Sequence, residues 1–194
     1  MFIKFSGRIG DETGSQFTAW LAGLINKHSP EELVILFASS GGSSQSAIEI
    51  VSYLRMLTIK ITIICTSTAQ SAGLHIFLGA STKENRLSVR GGTFLCHENN
   101  LSLRERCPLS EIRHRTKIAA RILTEHIRHF SECTGVKPDE AKKLFSGHGT
   151  YFDTTEAMQS GIIGGVVDDF KLHSGAILHV FAAPPAVKAK PKPK

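Results

Sequence analysis

Apolar positions change their period repeatedly along this chain, and each change marks an element. Phe2 to Phe5 alternate like a strand, which ends in the polar turn Ser6-Gly7-Arg8-Ile9-Gly10-Asp11. Phe17, Trp20, Leu21, Leu24 and Ile25 then recur on one face of a helix. Leu33 to Ala38 is a continuous apolar run, which predicts a strand buried on both faces; Ser39-Ser40-Gly41-Gly42-Ser43 breaks it. A second amphipathic helix follows through Ala47, Ile48, Val51 and Leu54, and Ile61 to Cys65 gives another buried strand. Beyond the segment Thr66 to Gly73 lies a short apolar helix through Leu74, Phe77 and Leu78, and Thr93 to His97 reads as a further strand.

The longest helical stretch spans 109 to 134, with Ile112, Ala119, Leu123, Ile127 and Phe130 along one side. Pro138-Asp139-Glu140 opens a short helix, with proline in its first turn and acids favoured by the helix dipole. Asp153 and Glu156 have the spacing of a capping box, and Gly161 stops the helix they start. Strand and helix alternate, which predicts right-handed crossovers, a largely parallel sheet and an α/β fold. Residues 1–181 form the expected domain, and 182–194, rich in Pro, Lys and Ala, form an expected disordered tail that cannot bury a core.

Composition narrows the class of molecule. With 41% hydrophobic and 21% charged residues, the 194-residue chain is globular rather than fibrous or disordered. It has no apolar run long enough for a membrane span, and its N-terminus lacks the apolar run of a signal peptide, so the expectation is a cytoplasmic chain off the membrane. The net charge of +6 looks like a nucleic-acid signal until Lys188, Lys190, Lys192 and Lys194 are set aside, which leaves +2 for the rest. Arg104, Arg106, Arg113, Arg115, Lys117, Arg121 and Arg128 are balanced in part by Glu105, Glu111 and Glu125. They read as a solvated helix face or a subunit contact more than a nucleic-acid surface. Four cysteines without a C-x-x-C pair argue against zinc ribbons and thioredoxin chemistry and read as reduced thiols.

Candidate chemistry sits in loops past the carboxyl ends of strands. In Ser39 to Ser43 the paired glycines let the backbone turn sharply and aim N–H groups at an oxyanion; the same segment also reads as an ordinary turn with Ser43 as helix cap. Ser71, between small residues at the mouth of a helix, suits a nucleophile, although this segment taken alone reads more readily as a plain cap. A nucleophilic serine needs a base. His97 ends a strand, His75 is four residues after Ser71 and shares its helix face, and His126 and His129 read as partly exposed surface residues. Cys96 and His97 point to opposite faces of their strand and make a poor catalytic pair.

Taken together, Ser39 to Ser43, Ser67-Thr68-Ala69-Gln70-Ser71-Ala72-Gly73-Leu74, Leu95-Cys96-His97-Glu98-Asn99, Thr134-Gly135, and Glu156 to Ile163 resemble the ordered motifs of the proteolytic subunit of Clp protease, the ClpP family of serine peptidases. The likeness runs from about Phe2 to Asp169. It implies a ClpP/crotonase-like fold of stacked ββα units with a protruding long helix. It also implies Ser71 as nucleophile, His97 as general base, and the N–H groups of Gly42 and Ala72 as oxyanion hole, with no metal or cofactor. The implied substrate is a polypeptide. The implied partners are further copies of the chain, in heptameric rings that enclose a chamber, and an ATP-driven unfoldase.

The chain departs from the family pattern in three ways. Counting back from Asp153, the position of the triad aspartate holds Gly149; Asp153 itself reads as a helix cap, and the adjacent His148 as a surface residue or a substitute that orients His97. An aspartate placed at 149 is expected to supply the missing acceptor. The prolines after Ser39 and after the histidine motif are absent, Ser67 replaces a glycine, and the chain starts almost at the first core strand, without the family's axial gate. Two other readings stay open: a catalytically impaired homologue that assembles with an active subunit, and a crotonase-type acyl-CoA enzyme, which has no use for Ser71.

Overall fold

The computed structural model describes residues 1–98, 107–168 and 176–182; Asn99, Arg104 to Arg106, Asp169 and the tail past Ala182 lie outside the described residues. Strands β1 (Phe2–Ser6), β2 (Glu32–Ser39) and β3 (Lys60–Gln70) alternate with helices α1 (Thr13–His28), α2 (Ser44–Met56) and α3 (Ala72–Phe77). Then come β4 (Arg86–Val89), β5 (Thr93–Cys96), α4 (Leu109–Thr134), α5 (Pro138–Phe145), β6 (Thr150–Phe152), α6 (Thr154–Gln159), β7 (Gly165–Val167) and β8 (Leu178–Ala182). The strand order is β6-β5-β3-β2-β1-β8, with β4 and β7 branching from β3. Among the described residues every strand pairing is parallel except β5 with β6, so the expected largely parallel α/β sheet is what forms.

β3 organises the sheet. Its first half, Ile63 to Cys65, pairs with β4, and its second half, Thr68 to Gln70, pairs with β5. One strand is therefore the branch point of the eight-stranded sheet, with β4 and β7 leaving one half and β5 and β6 the other. Its apolar start is buried from Ile61 to Cys65, as predicted. β2 differs from expectation: Leu33, Ile35, Phe37 and Ser39 are buried while the residues between them are half-buried, so only one face of the strand is fully covered. Phe5 stacks between Phe37 (ring centroids 5.3 Å apart) and Phe181 (5.5 Å), which locks β8 onto β1 in a core that Phe17 of α1 completes.

α4 is buried only in its C-terminal half, at His126, His129 and Phe130. The expected apolar side from Ile112 to Ile127 is half-buried instead, and no residue from Leu109 to Glu125 is buried, so the N-terminal half stands away from the core. Arg86, on β4, is 2% exposed and donates to the carbonyls of Cys133 (2.6 Å), Gly161 (3.0 Å) and Ile162 (2.8 Å). These are the carboxyl ends of α4 and α6, where unsatisfied carbonyls and the helix dipole both favour a cation.

Candidate active site

Parallel pairing of β3 with β5, in the register Gln70 to Leu95, brings their carboxyl ends side by side. Ser71 follows one and His97 the other, and the Ser71 N–H donates to the Leu95 carbonyl at 2.8 Å. The chain then turns abruptly from β3 into α3. Ser71 sits at that turn with φ 55° and ψ −125°, a conformation that costs a non-glycine residue of order 1–3 kcal/mol. Such a strand-to-helix elbow lifts a serine hydroxyl out of the chain's own packing. Ser71 and His97, both half-buried, line one cleft of about 830 Å³ with Gly41 and Gly42, and Ile118 and Ile122 of α4 form another part of its wall.

The glycine turn is pressed against the serine. A Cβ on Gly41 would lie 2.8 Å from Ser71 Cβ and 3.2 Å from Ala72 N, and Gly41 has φ +92°. Only glycine allows that approach. The turn is held by Ile9, which donates to Gly41 O (2.9 Å) and accepts from Ser43 N–H (2.8 Å). These bonds leave the Gly42 N–H out of the bridge. Ala72 opens α3, so its N–H has no acceptor within its own helix. The Ala72 N–H adjoins Ser71, and Gly42 lines the same cleft. Ser43 caps α2 by accepting from Ser46 N–H (3.5 Å), in line with the plain reading of that segment.

The His97 ring is held by its own backbone: Nδ1 lies 2.5 Å from the Glu98 carbonyl. A carbonyl only accepts, so Nδ1 carries the proton and Nε2 is left as the basic nitrogen. Nothing in the sequence signals this main-chain contact. β5 and β6 pair antiparallel with Cys96 opposite Thr150, so Gly149 falls opposite His97, where the motif count puts the missing acid. The position is closed, however. Gly149 has φ +80°, and a Cβ there would run into the Cys96 carbonyl and His97 Cβ and lie 2.8 Å from His97 Cα. An aspartate at 149 would displace the histidine it was expected to support. His148 is exposed, and Asp153 caps α6 in a reciprocal box with Glu156, as read from the sequence.

Cys96 points away from His97, with Sγ 3.5 Å from the Leu144 carbonyl, and burial pushes its thiol up to about 11. The other histidines depart from expectation. His126 is 5% and His129 2% exposed, and both pack on the buried ring of His75, at 4.4 and 4.3 Å between centroids. Burial is the main cause that pushes His126 and His129 down to about 4 and His75 well below its ordinary value, so neutral rings stack where charged ones would repel. His75 faces this cluster and not the cleft. Arg8, Asp11 and Arg115 also line the cleft; they come from segments that only the fold brings together, so their spacing gives no sign of it.

A strand-end serine and histidine under a glycine turn, carried by a mostly parallel sheet that branches at one strand, define the ClpP class of α/β proteins. The family model described as Clp protease matches residues 1–170, and the chain belongs to that family. It is 27% identical over 139 residues to the ATP-dependent Clp protease proteolytic subunit 2 of Pseudomonas aeruginosa, covering 72% of this chain and 67% of that one. The solved structure of a ClpP1 point mutant from Listeria monocytogenes has the same fold, with a TM-score of 0.73 at 22% identity over 87% of this chain and 91% of that one.

Proposed function

We propose that the chain is a serine endopeptidase of the ClpP type, with Ser71 as nucleophile and His97 as base. The strained elbow at Ser71, in one cleft with a histidine whose Nδ1 proton is fixed, carries this reading. His97 Nε2 takes the hydroxyl proton as Ser71 Oγ attacks a peptide carbonyl, then returns it to the leaving amine. The N–H groups of Gly42 and Ala72 receive the oxyanion. Water releases the acyl group by the same steps in reverse. The Glu98 carbonyl supplies the tautomer that an aspartate would enforce but not its charge, so turnover is slow: loss of the aspartate from such a triad lowers kcat by about 10⁴.

The substrate is a polypeptide, cleaved inside a homo-oligomeric chamber, and an ATP-driven unfoldase is the matching partner class. Residues 1–181 are the peptidase domain and 182–194 an appended tail. The match to the Clp protease family favours this reading over the acyl-CoA one. The closed position at Gly149 favours a second reading, an impaired subunit that assembles with an active one. A fluorophosphonate separates the two. The expected result is covalent labelling of Ser71 alone, abolished in His97→Ala. A folded protein labelled at Ser43, or at no serine, would reject the peptidase.

A further inference from the structure

A small cavity of about 10 Å³, lined in part by Ser71, lies between α3, α4 and α5. Leucine and phenylalanine side chains wall it, and its polar members are Ser71, His75 and His126. Ser71 alone lines both this cavity and the cleft. His129 has both nitrogens engaged, one 2.6 Å from Arg55 Nη2 and the other 3.2 Å from the His75 carbonyl. His126 does not: its Nε2 is buried with no hydrogen-bond partner among the described residues. A buried polar atom left without a partner is costly. A buried water needs about 10–15 Å³ and at least two polar partners; this cavity stands at the lower end of that size, and His126 and Ser71 are among the residues that line it.

We propose that this cavity binds one water molecule that bridges His126 Nε2 to the Ser71 hydroxyl, making His126 a positioning residue for the nucleophile. The proposal rests on Ser71 being that nucleophile. A serine hydroxyl has one proton and two lone pairs. The water donates into one lone pair from the cavity and completes its bonding at His126, as donor or acceptor according to the tautomer. The hydroxyl proton then points forward, to His97 Nε2. No bond breaks; the water fixes the rotamer from which the proton leaves.

His126→Leu removes the nitrogen, and His126→Gln keeps a polar atom near its place. Fluorophosphonate labelling of Ser71 is followed to saturation in the parent and both variants, with melting temperatures and a high-resolution crystal structure of the parent. In the Leu variant the maximal labelling rate falls about tenfold with reagent affinity unchanged, and Gln restores most of it. The crystal structure shows a water within about 3.2 Å of His126 Nε2. A Leu variant that labels at the parental rate and melts higher would overturn the proposal, since the nitrogen was then a dry orphan. So would a Gln variant as slow as Leu, which makes shape and not hydrogen bonding the cause. If the Leu variant does not fold, the crystal structure decides: an ordered water at Nε2 supports the site and a dry cavity overturns it. A parent unlabelled at Ser71 defeats the peptidase reading and with it the positioning role, whereas the cavity water is still decided by the crystal structure.

Discussion

Gly149 and His97 set the chemistry of this site more tightly than the motif pattern implies. The backbone of residue 149 lies directly against that of His97, so the place where an acid would stand is filled by main chain. Gly149→Asp should therefore lower melting temperature and slow Ser71 labelling; a stable variant that labels faster would show that the loop can yield. The three stacked histidines make a second expectation. Their protonation constants are lowered in the folded state, so the unfolded chain binds more protons as pH falls below about 6.5, and stability declines from there through about 4. The groups facing the cluster are Arg55 of α2, Glu125 and Arg128 of α4, and His97. The full loss for His126 or His129 alone is bounded at roughly 3 kcal/mol, and denaturant titrations between pH 7 and 4.5 would measure the decline. A flat profile would mean that these rings are hydrated and charge freely.

Helices and long strands are legible in the sequence because their apolar period runs over many residues. β1 and β5 are as short but stand out by their apolar residues, whereas β4, β6, β7 and β8, of three to five residues each, are brought out only by the structure. Ser71 and His97 can be picked out because each directly follows a strand. Burial of His126 and His129 cannot, because it depends on His75, which is distant in sequence and reaches them only when α3 packs on α4. Arg86 shows the same limit: nothing around β4 tells that one guanidinium closes the ends of two helices. Arg86→Met would keep the stem and strip three carbonyls of their donor, and should cost about 3 kcal/mol in chemical denaturation. A loss below about 1 kcal/mol would mean that solvent replaces the guanidinium.

At the scale of the molecule, the N-terminal half of α4 stands off the core with Leu109 62% and Ile118 46% exposed, a costly arrangement for a lone subunit. Light scattering should give a mass several times the 21.1 kDa of one chain, and a strict monomer at micromolar concentration would remove the chamber and the assembly partner together. Among the described residues no helix is long and apolar enough to cross a membrane. β3 has the widest reach, since its two halves bind different branches of the sheet and Ser71 hangs at its end. The half of β3 that carries Ser71 is paired on both sides, with β2 at Ala69 and with β5 from Thr68 to Gln70, so the elbow hangs from an interior strand and should exchange slowly. The strained backbone of Ser71 is thereby anchored to the interior of the sheet, and heat should silence the site as the sheet itself unravels.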